Sequence, residues 1–210
     1  MEKTTGIKTA LIITGGYCNA ERAKKLLPGG VSLTVAADSG CDTAKLLGIT
    51  PDIALGDFDS ITGALPDGVP VLRVPREKDV TDTMLACDYA IRNGCKNLVI
   101  VGGTGGRLDH YLSNVLYLEE LRRDGVYATL TDGENTARVI SDETVNVAKT
   151  DGYFSVFALD SCVITETGCK YPLNEATLVR EHPYALSNEV IGDSATVTVK
   201  GSAILVTSMK

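Results

Sequence analysis

The segment Gly56-Asp57-Phe58-Asp59-Ser60 sets two carboxylates two residues apart. In an extended chain such residues face one side, so Asp57 and Asp59 are expected to converge. Two like charges held together call for a cation between them, and Mg²⁺ suits an all-oxygen site. An exposed Gly-Asp turn with no ion is the plainer alternative. A second cluster, Lys78-Asp79-Val80-Thr81-Asp82, opens an expected helix and spaces Asp79 and Asp82 three apart, close together on a helical surface. Asp and Thr also serve as ordinary helix caps, so repetition carries the argument here. Asp38, ending the apolar run before Ser39-Gly40, adds another acid at the kind of strand end where α/β proteins gather ligands.

Downstream, Val101 runs into Gly102, Gly103, Thr104, Gly105, Gly106, Arg107, Leu108, Asp109 and His110: a strand, a glycine loop and a helix start. Glycines let the backbone approach phosphates, and a following helix N-terminus presents free N–H groups to anions. The loop matches neither Walker A nor the GxGxxG fingerprint, since it has no Gly-Lys-Ser/Thr and ends in Arg107. That arginine offers a fork of donors suited to phosphate. A tight strand-to-helix turn would look similar. His110 and His182 are the two histidines, and neither has a partner at metal-ligand spacing. For His110, an ordinary first-turn residue and an active-site residue both fit.

These groups need a scaffold. The 210 residues, 44% hydrophobic and 22% charged, suit an ordinary globular chain of one large domain or two compact ones. A net charge of −7 with no Lys/Arg-rich run disfavours nucleic acid and anionic membranes as partners, and implies divalent cations as intermediaries for any phosphorylated substrate. The six cysteines form no CxxC pair, the N-terminus lacks an apolar signal region, and no apolar stretch reaches membrane-spanning length. The expected location is the cytoplasm.

Short β-rich runs at 11–13, 33–37, 69–74 and 98–101 read as inner strands of a parallel sheet. Helical patterns fall between or after them at 19–27, 39–47, 81–92 and 109–123. Met84, Cys87 and Ile91 form one expected buried stripe. Ser39-Gly40-Cys41-Asp42 fits a capping box, and Gly48 stands where a left-handed helix stop belongs. From Ala137 onward the pattern becomes strands alone, at 137–140, 153–158, 162–165, 195–199 and 204–207, with a Lys200-Gly201 turn between the last two. The expected fold is α/β. It has an N-terminal doubly wound, mostly parallel sheet with helices on both faces over 1–134, and a smaller C-terminal antiparallel β-sandwich over 135–210.

In this order, Ala37 to Gly40, Gly48-Ile49-Thr50-Pro51-Asp52, the 56–60 and 78–82 acids and the 102–110 loop resemble the thiamin pyrophosphokinase family. Gly168-Cys169-Lys170-Tyr171-Pro172-Leu173 and Ser187-Asn188-Glu189 extend the resemblance over nearly the whole chain. It implies pyrophosphoryl transfer from ATP to the thiamin hydroxyl, giving AMP and thiamin diphosphate, in a homodimer with active sites between subunits. It also implies that Asp57, Asp59 and Asp82 organise Mg²⁺ and the reacting groups, with Asp38 and Asp79 close by. By the same resemblance Asp38, residues 102–107, Asp109 and His110 are expected to bind ATP, and Asp79, Asp82, Ser187 and Asn188 to meet thiamin. The family often covers the cationic thiazolium ring with an aromatic group, in some members Trp; this chain has no Trp, so Tyr171 or Tyr184 would have to substitute. Two rivals stand beside this reading. One is a metal-dependent phosphohydrolase, because Asp57-Phe58-Asp59 is similar to the paired aspartates of haloacid-dehalogenase-type phosphatases, although Ile61 departs from their usual Thr or Val. The other is a regulatory nucleotide-binding module without turnover.

Overall fold

The computed structural model describes residues 7–77, 79–104 and 107–210, and the chain divides into two compact units, Met1–Glu134 and Asn135–Lys210. The first runs β1 (Lys8–Ile13), α1 (Ala20–Leu26), β2 (Leu33–Ala37), α2 (Gly40–Leu47), β3 (Ile53–Gly56), β4 (Val71–Arg73), α3 (Asp82–Arg92), β5 (Cys95–Val101), α4 (Leu108–Arg123) and β6 (Tyr127–Thr131). Its six strands are all parallel, in the order β6-β5-β1-β2-β3-β4. The winding therefore reverses between β1 and β5, and ligands of open α/β sheets collect beyond the strand ends at such a reversal.

Pleating decides which face each residue serves. Leu11 and Ile13 of β1, with Val99 and Val101 of β5, pack on Ala23 of α1 and on Ala44 and Leu47 of α2. Their neighbours Ala10, Ile12, Leu98 and Ile100 point to the other face and are equally buried. Both faces are covered, as all-parallel sheets require. Gly48 ends α2 in the left-handed region at φ 68°, closing the helix through bonds to the Ala44 and Lys45 carbonyls.

Several expectations change. The run at 69–74 yields only β4, which is exposed along its length and pairs on one side with β3: an edge strand instead of an inner one. The buried stripe of α3 is Ala86, Cys87 and Ala90, with Met84 and Ile91 only partly covered, because α3 lies close enough to the sheet to favour small residues. Ser39 is already helical (φ −61°, ψ −4°) and makes no side-chain cap, so no capping box forms there.

The second unit contains β7 (Asn135–Ser141), β8 (Thr144–Ala148), β9 (Tyr153–Thr167), β10 (Leu173–Val179) and β11 (Ser194–Ser208). All its pairings are antiparallel: β10-β9-β11-β7, with β8 beside the first half of β11. The expected Lys200-Gly201 turn is a register shift between Gly201 and Ala203 inside one continuous strand. Residues 153–158 and 162–165 likewise belong to a single strand, β9. Bulges bend strands, so β9 and β11 each serve two regions of sheet around one apolar core that includes Phe154, Val156, Ile164 and Val197. All six cysteines are free, and no helix among the described residues is long and apolar enough to cross a membrane.

Candidate active site

Beyond β1 and β5 two glycine turns meet. Thr14 N–H and Thr14 Oγ1 both donate to the Val101 carbonyl, at 2.8 and 3.0 Å, and Gly102 N–H donates to Thr131 O at 2.9 Å. A Cβ on Gly16 would lie 2.1 Å from the Gly102 carbonyl oxygen, so only glycine permits this approach. Asn114, buried on α4, donates from Nδ2 to Gly103 O at 2.9 Å and pins the second turn from below. Thr104 is held by Asp132 Oδ2 at 2.5 Å. Gly105 and Gly106 lie outside the described residues, as does Lys78.

The two turns form one wall of a cleft of about 420 Å³. Asp38, Ser60, Thr81, Asp82, Arg107 and His110 also line it. Asp79, exposed in the bend before α3, is not among its lining residues. Asp82 is the first residue of α3, behind a Thr81 cap whose Oγ1 accepts from Met84 N at 3.2 Å. Arg107 immediately precedes α4 and is gripped at both ends by Asp109, Nε to Oδ1 at 3.1 Å and NH2 to Oδ2 at 2.5 Å. That fork holds the Asp109 carboxyl at about 2, well below the usual carboxylate range, and keeps an exposed arginine beside the glycine loop.

Asp57 and Asp59 do converge, but the reason differs from strand alternation. β3 stops at Gly56, and Phe58 takes φ 62°, a left-handed conformation uncommon for a bulky residue. Asp59 N–H then donates to Asp57 Oδ1 at 3.1 Å, folding the pair into a turn. Phe58 is held in place by burial, with Arg73 over its ring at 5.2 Å. The carboxylate gathered with this pair is Asp38, whereas Asp82 stands elsewhere on the cleft wall. Oxygens of Asp38, Asp57 and Asp59 lie within 4.8 Å of one another.

Asp38 is also left-handed, at φ 50°. It is 9% exposed; Ser60 Oγ donates to its Oδ2, while its buried Oδ1 has no hydrogen-bond partner among the described residues. An orphaned oxygen in a three-carboxylate cluster fits a hard cation and little else. Arg76, Nε 3.2 Å from Asp59 Oδ2, is the cation now nearest that acid among the described ion pairs.

Asp42 steadies the acid loop from α2. Its carboxylate accepts from Thr62 N at 2.9 Å, Thr62 Oγ1 at 2.8 Å and Gly63 N at 3.1 Å, and the Thr62 contacts lower its pKa. Residue type and spacing do not single out Asp42, Ser60, Thr14 or Asn114. The signal for Thr14 is the Gly15-Gly16 pair directly after a strand; the others are recognisable only through tertiary contact.

Residues 25–130 match the thiamin pyrophosphokinase catalytic domain, and residues 142–204 match the vitamin B1 binding domain of the same family. A thiamine pyrophosphokinase of Bacillus subtilis (strain 168) is 32% identical over 218 residues, covering 96% of this chain and 99% of that protein. This chain belongs to the thiamin pyrophosphokinase family. The crystal structure of a thiamine pyrophosphokinase from Bacillus subtilis superposes with a TM-score of 0.85 at 29% identity, covering 97% of this chain and all of that one. The yeast thiamin pyrophosphokinase structure, at 13% identity and a TM-score of 0.76, covers 99% of this chain and 88% of its own and shares the fold.

In the vitamin B1 binding unit, Ser187 takes φ 54° and its N–H donates to Ser155 Oγ at 3.0 Å. Asn188 is buried, and its amide bridges Tyr171: Nδ2 to Tyr171 O at 2.9 Å, Oδ1 from Tyr171 N at 3.0 Å. Of the two tyrosines that could meet the thiazolium ring, Tyr171 is exposed with Lys170 Nζ 5.5 Å from its centroid, while Tyr184 donates its hydroxyl to Thr177 O at 3.0 Å.

Proposed function

We propose that this enzyme is a Mg²⁺-dependent thiamin pyrophosphokinase that attaches the terminal pyrophosphoryl group of ATP to the hydroxyl of thiamin, releasing AMP and thiamin diphosphate. The observation that carries the reading is the Asp38, Asp57 and Asp59 cluster beside paired glycine turns at the reversal of a parallel sheet. Asp57 and Asp59, with Asp38, would hold the cation, and Asp82 faces the same space. Bound there, Mg²⁺ supplies neutralisation of phosphate charge.

The chain's own groups do the positioning. Backbone N–H groups of the 102–106 loop and the start of α4 receive phosphate oxygens, and His110 borders them. Arg107, poised by Asp109, shares its fork with the phosphates and steadies charge as it moves toward the leaving AMP. Ser187 and Asn188 belong to the thiamin side. The enzyme acts as a homodimer with active sites between subunits, in the cytoplasm, where six free cysteines stay reduced.

The test is incubation with ATP, Mg²⁺ and thiamin, followed by separation of nucleotides and thiamin esters. Equal AMP and thiamin diphosphate, abolished by Asp57→Asn, is the expected result. ADP with thiamin monophosphate would overturn attack at the β-phosphorus. Thiamin-independent phosphate release would favour the phosphohydrolase, and ligand binding without product the regulatory module. Neither rival accounts for a catalytic and a vitamin B1 binding domain in one chain.

A further inference from the structure

Glu166 breaks the pattern of its strand. It follows Cys162 and Ile164 on the inward phase of β9 and is 1% exposed, inside the apolar core of the second unit. Its neighbours across the sheet are Leu173 of β10 and Val197 of β11. Oε2 accepts from Asn188 Nδ2 at 2.7 Å; Oε1 is buried without a hydrogen-bond partner among the described residues. The lysines on surrounding segments are engaged at the surface: Lys170 and Lys210 flank Glu189 at 2.8 and 3.2 Å, and Lys200 meets Glu175 at 3.2 Å. Cys169, on the loop packed nearby, is a thiol that burial and Glu166 together keep protonated. Loss of solvent pushes the Glu166 carboxyl up to about 7. An apolar side chain would serve this core better, so the acid calls for another explanation.

Asn188 supplies it. Its Nδ2 spends both hydrogens on Glu166 and on Tyr171 O, and its Oδ1 accepts from Tyr171 N and Glu189 N, each at 3.0 Å. Its main chain pairs in both directions with Phe154 at 2.9 Å. No bonding capacity remains in that amide for a ligand. Rotating the amide by 180° would set oxygen against two acceptors and nitrogen against two donors. A carboxylate beside Nδ2 therefore locks the one orientation that clamps the 168–172 loop to the Ser187 turn.

We propose that Glu166 is a positioning residue for thiamin: by fixing the amide of Asn188 it holds the Ser187 turn and the Tyr171 loop in the shape that receives the substrate. This rests on the thiamin-binding role proposed above for the segment 187–188. Because an ionised carboxylate accepts more strongly than a neutral acid, the clamp tightens as pH rises through neutrality.

The test measures kcat and the KM for thiamin and for ATP at pH 6 and pH 8, with thermal melts of each variant. Glu166→Ala should raise the KM for thiamin roughly tenfold through the lost bond, leaving kcat and the KM for ATP within about twofold. Glu166→Gln retains an acceptor and should recover most of the affinity, while erasing the fall in KM between pH 6 and pH 8 that is expected of the parent enzyme; it carries the test should the alanine variant not fold. A folded alanine variant with parental KM for thiamin, or one whose two KM values rise alike, overturns the inference. So does a glutamine variant that keeps the parental pH profile. A parent enzyme that makes no thiamin diphosphate would sink the functional reading, and this inference with it.

Discussion

Oxygens of Asp38, Asp57 and Asp59 crowd within 4.8 Å of one another, with Asp38 on the cleft wall, whereas Glu166 stands alone, sealed among Leu173, Val197 and the rest of an apolar core. Both arrangements cost free energy, for opposite reasons. The cluster suffers mutual repulsion, which a divalent cation relieves; the solitary acid suffers loss of solvent, which a proton relieves. Where the acids meet, the backbone is bent into the left-handed region at Asp38 and Phe58 to bring them together. Where the acid is alone, β9 itself keeps its alternation and the side chain takes its turn inward, while the irregularity falls on the partner strand, whose register shifts between Leu173 and Ala176 with Glu175 at φ 45°. The clustered acids thus lie on or beside left-handed backbone of their own segments, whereas Glu166 lies on ordinary strand backbone opposite a bulged neighbour.

The contrast is most open to attack at the cluster. Asp59→Asn should lower the rate of thiamin diphosphate formation by about 10²-fold or more, the scale of losing one preorganised charge contact. Its melting temperature should stay level or rise, since a like charge has gone; a lower one would mean that the cluster is structural. A smaller effect is expected in the pH dependence of stability. The folded-state pKa of Glu166 lies above the ordinary value of 4.5, at about 7, so the native state binds its proton more tightly than the unfolded chain. Stability from this group is complete below about pH 4.5 and is lost as pH climbs to about 7, a change on the order of 3 kcal/mol. Denaturant titrations at pH 5 and pH 8 should show that loss in the parent and its removal in Glu166→Gln.

Smaller again is the anchor behind the cluster. Asp42→Ala deletes three hydrogen bonds to Thr62 and Gly63 at the surface, which should cost about 1 kcal/mol of stability and raise the Mg²⁺ concentration giving half-maximal rate. An unchanged Mg²⁺ midpoint would show that the acid loop holds itself. Least of all, Ser187→Gly trades the cost of φ 54° for glycine's entropy and should shift stability by only about 0.5 kcal/mol in the stabilising direction, read as a small rise in melting temperature.

Much of this architecture is legible in the amino-acid sequence. Helices announce themselves through local chemistry: Thr81 capping Met84, Gly48 in its left-handed stop, and apolar spacing over the 109–123 segment. The acids and the glycine loop are legible as residue types. What places them is not, because it is tertiary. An extended reading of Asp57-Phe58-Asp59 cannot show that Phe58 turns left-handed, since burial of its ring offsets the strain. Apolarity in the 69–74 run suggests burial, yet that run forms an exposed edge with one neighbour. Lys200-Gly201 has the composition of a turn, but pairing with the strands on either side carries β11 through it as a bulge. Glu166 is within reach of simple alternation, in phase with Cys162 and Ile164, and only its charge conceals it.

β11 pairs with β7, β8 and β9, every one of which precedes it. On a ribosome, then, the first unit emerges whole while the second must wait for β11 before its three earlier strands gain the neighbour they share. A nonsense mutation just ahead of Ser194 would leave a finished α/β unit carrying unpaired, sticky strand edges, so quality control has reason to dispose of such a product quickly.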